Sequence, residues 1–155
     1  MIFTTKAEYG VRLLIQLGMH GGDAPVSLKA VAEAESLPLA YLERIAALLK
    51  KAGLITATRG AHGGYVLTAP ADEITMDAAV LALEGAIAPM DCFVDDRDAR
   101  VQCSHLTDGE HCATKLLWTR VQMGVIKSLQ RTTLAELVEF AGPPSTQATH
   151  LEMHG

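Results

Sequence analysis

The chain is poor in cysteine, has no long hydrophobic run, and lacks the side-chain pairings of an enzyme. Three cysteines in 155 residues are too few, and of the wrong parity, for a secreted scaffold held by disulfides, so a reducing cytoplasm is the expected compartment. No segment reaches the roughly 18 consecutive apolar residues that a membrane helix requires. The opening MIFTTKAEYG does not have the basic-then-apolar profile of a signal peptide. No nucleophile stands with a base, and no substrate pocket can be traced, so catalysis is not expected. The one glycine-rich tract, GAHGG at 60–64, precedes a strand pattern and not a helix, which argues against a phosphate-cradling loop.

What is present is an ordinary globular composition, 49% apolar and 20% charged, in a length that suits one domain with an appendage or two small domains sharing a core. The net charge of −5 hides an asymmetry. Residues 1–70 hold seven Lys/Arg against five acids, a balance of +2; residues 71–155 hold six against thirteen, a balance of −7. A neutral-to-basic binding half joined to an acidic half fits this pattern, with simple surface scatter as the plain alternative.

In the first half, TTKAEYGVRLLIQLGMHGG reads as a helix, with Thr5 and Glu8 at capping-box spacing, a stripe of Val11, Leu14, Ile15 and Leu17, and Gly21-Gly22 as its end. VSLKAVAEAE is a second, short helix capped by Ser27. SLPLAYLERIAALLKKAG is a third, opened near Pro38, packed through Leu42, Ile45, Leu48 and Leu49, and stopped at Gly53. LITATRGAHGGYVLT then switches to hairpin chemistry around a glycine-rich tip.

Helix, helix-turn-helix and hairpin in that order describe a winged helix, a fold in which the second helix of the pair enters a major groove of DNA. Residues 38–51 are then the recognition helix. Tyr41, Glu43 and Arg44 fall near its N-terminal end, within reach of base edges, while Lys50 and Lys51 suit phosphates at the far end. Arg59 with Gly60, His62, Gly63 and Gly64 makes a thin wing tip, and Ser27 opens the preceding helix at the same surface. Each signal is weak alone, since helix-turn-helix patterns also serve as plain packing units and the tip could be a loose hairpin.

In the second half, Thr75 caps MDAAVLALEG and Gly85 ends it. ATKLLWTRVQMGVIKSLQR has the apolar recurrence of a long helix at Leu117, Val121, Val125 and Leu129, and TTLAELVEF restarts with Thr133 and Glu136 at capping-box spacing. A long helix with this much apolar surface packs against its twin or folds back on its own domain. Two-fold DNA sites favour the twin, a homodimer. The expected division is a DNA-binding domain at 1–70, a region of loop (92–112) and dimerisation helices at 71–141, and a disordered tail at 142–155.

All three cysteines lie in CFVDDRDARVQCSHLTDGEHC, spaced C-x10-C and C-x8-C. Such spacing does not match the tight knuckles of zinc fingers and suits a bulky inorganic cluster. Zinc held by three Cys with His105 or His111, a redox disulfide, and inert thiols stay open as alternatives.

The chain resembles the IscR-type family of iron–sulfur winged-helix regulators, which includes nitric-oxide- and iron-responsive members. TTKAEYGVR, LPLAYLERIAALLKKAGLI, TRGAHGGY, TMDAAVLALEG, the three loop cysteines, CATKLLWTRV and TTLAELVEF carry the resemblance over roughly residues 1–141. It implies a mostly α fold with a small β-hairpin wing: a winged helix-turn-helix plus a long dimerisation helix. It also implies a homodimer on double-stranded operator DNA, with Cys92, Cys103 and Cys112 as ligands of an iron–sulfur cluster, 4Fe-4S before 2Fe-2S. Two departures stand out. The cysteine loop is longer than in the best-known members, and the position three residues after the last cysteine, a histidine in some of them, is Lys115. By the same resemblance, the fourth ligand is Glu8, reaching across from the other subunit, unless Glu8 only completes a cap; His105 and His111 are the reserves. The expected role is a repressor of iron–sulfur assembly genes, with a nitric-oxide or iron sensor, or a zinc-stabilised DNA-binding dimer, as alternatives.

Overall fold

The computed structural model describes residues 3–21, 24–89 and 113–143. Among these, the order is α1 (Thr5–Met19), α2 (Leu28–Glu35), α3 (Leu39–Lys51), β1 (Ile55–Thr58), β2 (Gly64–Leu67), α4 (Met76–Glu84), α5 (Ala113–Arg131) and α6 (Leu134–Ala141), with a 3-10 turn at Ala71–Glu73. This is a winged helix carrying a long C-terminal helix, as the sequence led us to expect.

Local rules explain most boundaries. Ser27 caps α2 by accepting the Ala30 N–H at 3.1 Å, satisfying a donor that the first helical turn leaves orphaned. Ser36 turns the chain between α2 and α3 with a left-handed φ of +54°, which costs a non-glycine residue about 1 kcal/mol. Pro38 then fixes the entry to α3 at φ −65°. Thr133 and Glu136 form a complete capping box at the start of α6.

One expectation fails. Thr5 and Glu8 do not form a capping box: the N-cap of α1 is Thr4, whose side chain accepts the Lys6 N–H. The buried stripe of α1 is Ala7, Gly10, Leu13, Leu14 and Leu17, turned slightly from the expected one, which leaves Val11 and Ile15 half-buried at its flank.

α1 is the central helix, packed by α3, α4 and α6. A single apolar core runs through Leu13, Leu14, Leu17, Leu42, Ile45, Leu49, Leu83 and Leu134. It draws on both sides of the expected boundary at 70/71. The C-terminal helices are fastened by a short antiparallel bridge: Met76 N–H donates to Thr132 O (3.0 Å) and Leu134 N–H to Ile74 O (2.8 Å). α5 leans on α4, and Gln122 Nε2 donates to Ile87 O at 2.8 Å. None of the 19 residues of α5 is buried.

Candidate nucleic-acid interface and the first helix

The inner stripe of α3, Leu42, Ile45, Ala46 and Leu49, is at most 1% exposed. At about 1.5–3 kcal/mol for each large side chain, that burial fixes which face the helix offers to solvent. The outer face is Leu39, Ala40, Glu43, Arg44, Ala47, Lys50 and Lys51. Charge on it is graded, from an apolar first turn through Glu43 and Arg44 to two lysines in the last turn. Lys50 and Lys51 also lie at the negative end of the helix dipole, which favours cations there. Arg44, Lys50, Lys51 and Arg59 have no ion-pair partner among the described residues, so their charge is available to an anionic surface.

The wing is built by backbone. β1 and β2 pair antiparallel from Ile55–Leu67 to Thr58–Gly64, and Gly63 N–H closes the tip onto Gly60 O at 3.0 Å. Gly60 takes a φ of +120°, a conformation side-chain-bearing residues avoid. At Gly64 a Cβ would stand 2.5 Å from the carbonyl of Val26, because Val26 and Tyr65 exchange backbone hydrogen bonds of 3.0 and 2.9 Å. Gly63 and Gly64 therefore shape the wing and seat it beside Ser27. Arg59, Gly60 and His62 are its exposed tip.

Tyr41 lies elsewhere. Its ring is half-buried and meets Tyr9 edge-on at 5.6 Å between centroids, with its hydroxyl 3.4 Å from that of Thr5. It ties α3 to α1, while Glu43 and Arg44 stand on the open face. Sequence reasoning passed over Leu39, Ala40 and Ala47, although Ala40 and Ala47 are respectively three residues before Glu43 and three after Arg44 and so share their face.

The first three turns of α1 gather further links. Glu84, at the end of α4, accepts from the N–H (2.9 Å) and the hydroxyl (2.7 Å) of Thr4. Burial pushes the Glu84 carboxyl up, but the Thr4 and Ala7 donors and the charge of Lys6 outweigh it and hold the group below its ordinary value. Glu8 is exposed and accepts from Arg12 Nε at 2.7 Å. Arg12 also donates to Glu35 at the end of α2 (2.9 Å), and Gln16 donates to the other Glu35 oxygen at 2.5 Å. These two carboxylates, Glu35 first, hold the Arg12 guanidinium above its ordinary value. Glu8 also borders a cleft of about 430 Å³ lined by Phe3, Thr5, Val11, Val80 and Leu129.

Cys92, Cys103, Cys112, His105 and His111 lie outside the described residues. Among the described residues no three potential metal ligands cluster. Glu8 fits the role of a single oxygen donor: its carboxylate is accessible, and its partner Arg12 is held in a surface ion pair of the kind worth about 0–1 kcal/mol.

The sequence profile of the Rrf2 family, described as an iron-dependent transcriptional regulator, matches residues 3–140. The chain belongs to the Rrf2 family. Protein rrf2 of Nitratidesulfovibrio vulgaris is 35% identical over 154 residues, 99% of this chain and 98% of that protein. The structure of CymR, the global cysteine regulator of B. subtilis, aligns with a TM-score of 0.73 at 34% identity, over 89% of this chain and 96% of that one. IscR of T. potens aligns with a TM-score of 0.73 at 32% identity, over 90% and 88%. This Rrf2 member is therefore a transcriptional regulator, a DNA-binding and not an enzymatic role. No helix among its described residues is long and apolar enough to cross a membrane.

Proposed function

We propose that the chain acts as a homodimeric repressor of iron–sulfur assembly genes, binding double-stranded operator DNA through α3 and the wing. Its operator affinity is switched by an iron–sulfur cluster held by Cys92, Cys103, Cys112 and Glu8, with 4Fe-4S ahead of 2Fe-2S. The exposed cations Arg44, Lys50 and Lys51 on the outer face of α3, and Arg59 at the wing tip, none of them in an ion pair among the described residues, support the DNA half of this reading. The dimer rests on α5, which buries no residue within its own chain and leaves Leu116 and Leu117 58% and 54% exposed.

The single observation that carries the switch is the shared Arg12. Glu8 and Glu35 hold one guanidinium between them, so a Glu8 carboxylate engaged as a ligand leaves Arg12 to Glu35 alone. Because Glu35 ends α2 and Tyr41 ties α3 to Thr5 and Tyr9, a change at Glu8 has short routes to both helices of the DNA-binding pair. A cluster supplies an inorganic group sensitive to iron supply, redox state and nitric oxide; the protein supplies the two-state contact that registers it.

The test is anaerobic purification followed by iron and acid-labile sulfide counts. About four of each per chain is expected for a cubane, and serine at Cys92, Cys103 or Cys112 should abolish them while leaving a folded dimer. A colourless protein with about one zinc would make the loop a structural clip. A second reading has specific support in the equal structural likeness to CymR, the global cysteine regulator of B. subtilis. A metal-free protein that still regulates through cysteine supply would favour it.

A further inference from the structure

α3 opens apolar, at the end where a recognition helix meets base edges. Leu39 is 39% exposed, Ala40 beside it is exposed, and Leu39 is not among the side chains packed on the core. Neither residue can donate or accept a side-chain hydrogen bond. Along the same face come Glu43 and Arg44, then Ala47, then Lys50 and Lys51. The cations fix the occupant of this face as an anionic duplex, and small Ala40 and Ala47 let the helix approach closely. Within a major groove, the feature that an apolar side chain matches is the methyl group on C5 of a pyrimidine.

We infer that Leu39, backed by Ala40, is a specificity-determining residue that reads a 5-methyl pyrimidine, thymine or 5-methylcytosine, in each half-site. This rests on the DNA-binding reading above and adds what the first turn of α3 selects. Glu43 and Arg44 read hydrogen-bonding edges one turn further along, while Leu39 contributes shape and methyl burial. Thymine and 5-methylcytosine offer the same group, so the preference extends to methylated cytosine at that position.

The experiment starts by selecting bound duplexes from a random-sequence library with the full-length protein. No enriched sequence would overturn the DNA-binding reading itself and this inference with it. With an enriched site in hand, each thymine is replaced by uracil, which removes the methyl and nothing else. A replacement in one half-site is expected to weaken binding about fourfold, the ratio matching about 0.8 kcal/mol of methyl burial, and a replacement in both about 15-fold. The Leu39→Ser variant, altered in both subunits, should bind the thymine duplex about 15-fold less tightly and be indifferent to uracil. At the same position 5-methylcytosine should bind better than cytosine by a like ratio for wild type only. Tight binding with every uracil neutral, or a Leu39→Ser variant that keeps the full uracil penalty, would overturn the assignment.

Discussion

α3 and α5 both carry apolar stripes, and their fates in the monomer are opposite. In α3 the stripe of Leu42, Ile45, Ala46 and Leu49 disappears into the core, and the charged face is left outside. In α5 no residue is buried, and Leu116, Leu117 and Met123 stay 46–58% exposed. A stripe buried within its own chain orients its helix; in α5 Val121, Val125 and Leu129 are only half-buried, and the exposed Leu116, Leu117 and Met123 beside them are surface open to another chain. In this regulator the first arrangement turns the charged face of α3 outward, and the second leaves the surface that, on the proposed reading, joins two copies.

The contrast can be broken in order of effect. Leu49→Ala should destabilise the fold by about 2–5 kcal/mol, whereas Leu117→Ala should change monomer stability by less than about 1 kcal/mol; thermal unfolding at low protein concentration measures both. Glutamate at Leu116 and Leu117 together should leave a folded chain and shift the mass in sedimentation from about twice 16.5 kDa to 16.5 kDa, while a wild type that already sediments as a monomer would remove α5 as the interface. On the other face, Lys50→Ala and Lys51→Ala should each weaken binding to all duplex sequences alike and lower the slope of log affinity against log salt by about one.

A smaller effect belongs to Glu84. Glu84→Gln should cost about 1 kcal/mol at neutral pH, since Thr4 loses a charged acceptor. The folded carboxyl lies below its ordinary value of 4.5. Its stabilisation is therefore full above that value and is lost as pH falls through the lower folded one. Wild type and variant should converge in acid; a gap independent of pH would show that the charge contributes nothing.

How much was legible in the sequence follows from how far each interaction reaches. Ser27 capping α2, Pro38 and Gly53 bracketing α3, and the Thr133–Glu136 box are contacts within a few residues, and spacing alone displayed them. The start of α1 was misread for two reasons: Glu84 serves Thr4 from 80 positions away, and Arg12, four residues on, takes the Glu8 carboxylate. Tyr41 has a packing role that its position did not reveal, for a related reason. Its place near the N-terminus of α3 suggested a base contact, while Tyr9 and Thr5 on α1 claim its ring and hydroxyl. Of the proposed ligand set, Glu8 stands among the described residues, and the sequence alone could not show that it shares Arg12 with the DNA-binding pair.

The most direct measurement of the central claim is fluorescence anisotropy of a selected operator duplex. It would be titrated with anaerobically purified protein before and after iron is removed by chelation, at several salt concentrations. Affinity that falls steeply with salt and differs at least tenfold, about 1.4 kcal/mol, between the two forms is the expected result. Equal affinity in both forms, or binding indifferent to salt, would contradict a cluster-switched, DNA-binding regulator.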